Sequence, residues 1–531
     1  MTFDISMPSD ASGIAAAHAE EWAAANVLER FWSKDPTVWA DPEIPETSDR
    51  LGWLDAPTSS RSLIGTVASL HAQAISEGIT DIVLCGMGGS SLAPEVFAAT
   101  LPKDGNSPVL TVIDSTHPRA VAAVGSATDP VTTWYIIASK SGGTIETMSL
   151  FRYFWMRADE VLDDPGCHFV AITDPGTSLG SLAADRGFRS TIHADPDVGG
   201  RYSALTAFGL VPTGLIGGDI AGLLDSADRA ASSCGPGTPL SENPGFTLGA
   251  LLAERARQGT DKAQFVGSPP ATTIGIWTEQ LIAESTGKEG KGIVPIDGGP
   301  TPTGATDATV VAVGSASSRE ADIAIQFDDP HDIGGAMFVL EFATAVAGRC
   351  LGINPFDQPD VQLAKKLASA AMEGGLGPDK SPPVPVDDQQ WVGDLMESPY
   401  ARQASYVSVQ AYVPQTSETT ALLNDLRLAL TDAFNAFVTI GFGPRFLHST
   451  GQLHKGGPGN GVYLQIVDDT GEALEIPGTD STFNELIAAQ AMGDRAALVD
   501  RDRSVTAVDL GTDTIRGLAM ITERIRQRKE S

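Results

Sequence analysis

The chain is 531 residues long, 42% hydrophobic and 19% charged, which supports two or three domains with buried cores. Its formal net charge of -32 argues against nucleic-acid binding, which needs a basic face, and fits a solvated acidic surface. An anionic ligand would meet a repulsive overall field, so local dipoles and lysines must hold it.

Met1 to Asp4 shows neither the basic nor the apolar stretch of a signal peptide. Residues 1–60 read as an N-terminal helical arm, rich in Ala and Glu between Ala15 and Arg30. Helix and strand then alternate over 61–216, with a helix at 63–77 and strands at 81–85, 109–114, 133–139 and 169–173. Short apolar runs between helical patterns point to a doubly wound parallel α/β sheet. A connecting helix is expected over 217–246. A second α/β unit follows over 247–480, with strands at 264–266, 310–313, 323–327, 406–412 and 463–467. Its long helices fall at 333–349 and 418–437. The segment 481–531 reads as C-terminal and helical, ending in a charged helix from Thr514 to Lys529. Apolar runs such as Ile136 to Ala138 are strand-sized, far short of a membrane span. Cys85, Cys167, Cys234 and Cys350 lack CxxC spacing, which suits a reducing compartment, neither zinc nor disulfides, and a cytoplasmic location.

Three clusters carry chemistry. Ser139 to Thr147 reads SKSGGTIET and stands where a strand should hand over to a helix. Such a turn offers unpaired N–H groups and the positive end of a helix dipole, so a phosphate site and an ordinary Ser-rich cap compete evenly there. Gly86 to Ser91, reading GMGGSS, occupies the same position one unit earlier. It lacks both the GxGxxG and Walker patterns, which disfavours a nucleotide. Two such turns would meet at the carboxyl edge of the sheet. In GGRYS, Gly199 to Ser203, an Arg between small neighbours can lie close to developing negative charge, although alone it reads as a surface turn. Glu284, near the end of an apolar helix in QLIAESTGK from Gln280 to Lys288, would gain basicity on burial and serve as a general base. A single glutamate is more often exposed at a helix end.

Together these stretches resemble the glucose-6-phosphate isomerase family, which is built from two sugar-isomerase (SIS) domains. NPFDQPDVQLAK, Asn354 to Lys365, is similar to that family's DQ…K motif and keeps its Gln358 to Lys365 spacing. The turn at 141–143 departs from the family's usual pattern, and Asp360 replaces a glycine. LHSTGQ, Leu447 to Gln452, resembles the histidine motif but follows Lys365 instead of preceding it; His331 has no matching context. That order resembles the isomerase half of bifunctional transaldolase/phosphoglucose isomerase proteins. His448 is the chosen histidine, with His454 as the alternative.

The resemblance implies a phosphosugar substrate, no cofactor, no metal and a homodimer whose histidine crosses the subunit interface. The terminal helix and N-terminal arm would supply the rest of that interface. Catalytic roles fall to Glu284, His448, Lys365 and Arg201. His448 and Lys365 would open the sugar ring, Glu284 would move the proton between C2 and C1, and Arg201 would stabilise the enediolate. Gly88, Gly89, Ser90, Ser139, Lys140, Ser141, Thr144, Gly200, Gln280 and Gln358 would bind substrate, with Lys140 opposing the chain's negative field. Two alternatives are an isomerase acting on mannose 6-phosphate or both epimers, and a non-catalytic phosphosugar sensor.

Overall fold

The computed structural model describes residues 4–530 except 41–43, 103–104, 316–320, 361–366, 368–371, 373–378, 380, 398–400 and 402–404. Among the described residues fifteen strands form three five-stranded sheets. After β1 (Asp4–Ser6), the first sheet is built from β2 (Asp81–Gly86), β3 (Val109–Ile113), β4 (Thr133–Ala138), β5 (Phe169–Thr173) and β6 (Ser190–His193). Its order is β3-β2-β4-β5-β6 and every pairing is parallel. β4 is buried at all six positions, as a parallel strand covered by helices on both faces must be.

The second sheet takes β7 (Lys262–Gly267), β8 (Val294–Asp297), β9 (Ala308–Gly314) and β10 (Ile323–Gln326), ordered β10-β9-β7-β8. β1 closes its edge, antiparallel to β10. The third has β11 (Val384–Pro385), β12 (Tyr406–Tyr412), β13 (Phe437–Phe442), β14 (Gly461–Val467) and β15 (Ser504–Asp509), ordered β11-β15-β14-β12-β13. With the edge strands β1 and β11 set aside, each sheet therefore repeats one arrangement: a first strand flanked by the second on one side and the third on the other. That flank is the topological switch point, where ligands bind in open α/β sheets.

The doubly wound α/β class holds, but the strands make three sheets where the sequence suggested two units. The strands expected at 406–412 and 463–467 belong to the third sheet, not the second. β13 begins three residues after the helix Ser417–Phe434 ends, because Asn435 turns the chain in a left-handed conformation (φ 48°). The segment 481–531 contributes β15 as well as two helices.

Neither terminal element stands free of the cores. Phe31 stacks on Phe342 with centroids 4.7 Å apart, and Trp22 meets Phe246 edge-on at 4.9 Å. Each such buried aromatic adds about 2–3 kcal/mol by burial. The helix Thr514–Glu530 buries Leu518, Ile521 and Ile525 in the third unit's core. These apolar faces are used within the chain. The helix Asp332–Leu351 is long and apolar enough to cross a membrane, but 94% of its most apolar window is buried inside the protein.

Candidate active site

A cavity of about 570 Å³ opens over the carboxyl ends of β2 and β4, the switch point of the first sheet. Gly88, Gly89, Ser90, Ser139, Lys140, Ser141, Thr144, Gly200, Arg201, Gln280, Glu284, Gln358 and His448 all line it. Lys365 lies outside the described residues.

The turn after β4 leads into the helix Ile145–Asp159, and Thr144 at its N-cap does not bond the helix with its side chain. The Thr144 hydroxyl instead lies 3.0 Å from Ser139 Oγ. First-turn N–H groups without a side-chain cap suit an anion better than a self-capped turn does. Lys140 behaves differently from its expected role. Its ammonium donates to Asp174 Oδ2 at 2.6 Å and to the Pro196 carbonyl at 3.0 Å, so its charge is already paired.

Glu284 sits in the last turn of the helix Ile274–Thr286, 5% exposed. Arg201 Nη1 lies 3.4 Å from one carboxylate oxygen, and Gln280 Nε2 donates to the other at 3.1 Å. Far from a surface turn, Arg201 is 3% exposed. Its Nη2 donates to the carbonyls of Pro355 (2.7 Å) and Asp357 (2.9 Å), and its Nε to Ser285 Oγ at 2.9 Å. The guanidinium therefore pins the loop that carries Gln358 and keeps Nη1 beside Glu284. Gln280 also donates to the His448 carbonyl at 2.8 Å, tying the histidine loop to the Glu284 helix.

His448 reaches this cavity from a short turn after β13, within the same chain, with Nε2 2.9 Å from Glu146 Oε1. The expected crossing from a partner subunit is not needed: the third unit brings the relocated motif to the first unit's switch point. His454 stays in the core between Ser408 and Gln410, its pKa held well below the ordinary value by burial and then by the Lys455 and Arg503 cations. Asp360, the departure from the family glycine, is likewise explained. It accepts from Gln452 Nε2 at 2.8 Å and pairs with Arg501, locking the DQ…K segment onto the histidine motif.

A family profile described as phosphoglucose isomerase matches residues 58–231, the stretch that supplies both glycine–serine turns and Arg201. Residues 58–231 thus form a phosphoglucose isomerase domain. The chain is 29% identical over 363 residues to a glucose-6-phosphate isomerase of Rubrobacter xylanophilus, covering 56% of this chain and 83% of that one. A glucose-6-phosphate isomerase of Thermus thermophilus is 27% identical over 62% of this chain and 92% of its own. In fold, the chain is similar to the crystal structure of a glucose-6-phosphate isomerase from Chlamydia trachomatis, with TM-score 0.55, 19% identity, and coverage of 70% and 86%.

Sequence reasoning missed two residues here. Arg50, from the N-terminal segment, lines the cavity as a second cation near Asp174. Lys288, noted only as part of a motif, is 1% exposed and donates to the carbonyls of Asn354 (2.7 Å) and Asp357 (2.6 Å). Burial, and then the Arg201 cation, lower its pKa from the ordinary 10.5 to about 8. The unfolded chain holds this proton up to higher pH than the folded one. Lys288 therefore costs stability below pH 8, and that cost fades as pH rises from about 8 toward 10.5. Activity should move the opposite way, because the neutral amine loses one donor and its attraction to Asp357. Catalytic efficiency is expected to fall on an alkaline limb centred near pH 8. A pH–rate profile of Lys288→Met checks this: activity should be uniformly low and that limb gone.

Proposed function

We propose that this chain interconverts glucose 6-phosphate and fructose 6-phosphate in the cytoplasm, as a step of glycolysis and gluconeogenesis. The observation that carries this reading is a buried carboxylate, Glu284, held beside the Arg201 guanidinium, in a cavity whose other end is an uncapped helix N-terminus. The phosphate binds at the turn from Ser139 to Thr144, and this remote binding orients the sugar for reaction. His448 and, by resemblance, Lys365 transfer the protons that open the ring. Glu284 then takes the C2 proton; the C–H electrons form the C1–C2 double bond, and the C1 oxygen gains charge beside Arg201. Return of the proton to C1 leaves the ketone at C2. A homodimer belongs to this reading by resemblance to the family.

Direct assay of the purified chain on glucose 6-phosphate, fructose 6-phosphate and mannose 6-phosphate tests it. Conversion between the first two supports the reading; turnover of mannose 6-phosphate alone, or of none, defeats it. Replacing Ser141 and Thr144 together by Ala is expected to raise KM by roughly thirtyfold or more with kcat little changed. Each lost hydroxyl bond to a charged phosphate is worth about 1–3 kcal/mol. Unchanged affinity for fructose 6-phosphate would place the phosphate elsewhere.

A further inference from the structure

Gln490 belongs to none of the sequence motifs and does not line the cavity, yet it is 3% exposed and bonded to a group that holds His448. It sits on the helix Phe483–Asp500, which starts with a capping box between Thr482 and Glu485. Thr116, fully buried in the loop after β3, donates its hydroxyl to Gln490 Oε1 at 2.6 Å. With its oxygen so engaged, the amide must present its N–H₂ to Glu146 Oε1, 2.8 Å away. That same carboxylate oxygen faces His448 Nε2 at 2.9 Å. A carboxylate can only accept, so the hydrogen in this contact resides on Nε2, and the lone pair of the neutral ring is left on Nδ1.

We propose that Gln490, with its rotation fixed by Thr116, is a positioning residue that sets the orientation and tautomer of His448 through Glu146. The third unit then contributes more than the histidine loop: its helix also determines which nitrogen of the imidazole can exchange a proton. Thr116 and Gln490 stand on opposite sides of the junction between the first and third units, so the relay works only when the two are docked. The kinetic part of the test rests on the isomerase reading; the spectroscopic part does not.

Two near-isosteric variants remove the relay with little change of shape, Gln490→Leu and Thr116→Val, and Thr116→Ser restores the hydroxyl. Histidine ¹⁵N spectra of the full chain, with the His448 signal assigned by difference from His448→Gln, read the tautomer directly. Wild type and Thr116→Ser should show hydrogen on Nε2, and the other two variants a mixture. In parallel, kcat should fall roughly tenfold to a hundredfold with KM within about twofold, the scale seen when a group orienting a functional imidazole is lost. A fall in kcat with the wild-type imidazole spectrum would make Gln490 mere structural glue and overturn the proposal. So would unchanged spectra and rates in both variants. If wild type turned over no sugar phosphate, the function would be wrong, and the spectra would still decide the relay.

Discussion

Glu284→Gln should retain the fold and phosphosugar binding and lose turnover by about a hundred- to ten-thousand-fold, the contribution of one well-placed proton-transfer group. The carboxylate now faces two donor groups, accepting from Gln280 Nε2 on one oxygen and lying 3.4 Å from the Arg201 Nη1 cation on the other. An amide offers one acceptor and one donor, so one of these contacts turns into donor against donor. A stability loss of about 1–3 kcal/mol accompanies the change, from a buried donor left unmatched. Thermal unfolding measures that loss separately from catalysis. In deuterated water, wild type should wash label into C1 and C2 as Glu284 exchanges its proton with solvent, and the variant should not. Label entering the variant at the wild-type rate would mean that another base moves the proton.

The first unit was legible because its chemistry lies at strand ends that announce themselves. β2 and β4 are continuous apolar runs, and each ends in glycine and serine, so both the strands and the turns after them could be read from composition alone. Arg201 and Glu284 were visible as motif residues, but not the loop carbonyls that Arg201 holds, because those come from residues 154 and 156 positions away. The third sheet stayed hidden for a local reason. β13 follows its helix so closely that a helical period runs into a strand, and only Asn435 marks the change. Missing that strand merged two units into one and left Phe483–Asp500 as an unplaced tail.

The expectation of a shared site came from the family resemblance, in which the histidine crosses the subunit interface. Here the third unit brings His448 to the cavity from within the chain, since the histidine turn lies between β13 and β14 of its sheet. Chain order changed while the arrangement in space was kept. Contacts such as Gln280 to the His448 carbonyl, 168 residues apart, leave no trace in spacing, and neither does the relay from Thr116 to Gln490.

Gly89→Ala should damage the site almost as severely as loss of Glu284, although Gly89 bears no reacting group. A Cβ built there would lie 1.9 Å from the Gly200 carbonyl oxygen and 2.4 Å from its carbon. Ordinary contact begins near 3.4 Å, so the turns at 88–90 and 199–203 must part by more than 1 Å. Neither turn yields easily. Gly88 beside it has φ +54° and no room for a Cβ between Gln280 and the His448 carbonyl, and Ser203 Oγ bonds the Gly89 carbonyl at 3.2 Å. On the other side Arg201 follows Gly200 directly and is held by three acceptors. Separating the turns therefore drags Arg201 Nη1 from its place beside Glu284, and a displacement of about 1 Å can cost a hundredfold in rate. A fall of about that size in kcat/KM is expected, with a stability loss of about 2–4 kcal/mol from backbone strain. The contact is one-sided, which supplies the control: a Cβ on Gly200 meets nothing within 4 Å. Gly200→Ala should fold with wild-type stability. Equal thermal stability for the two variants would show that the turns do not pack against each other as described.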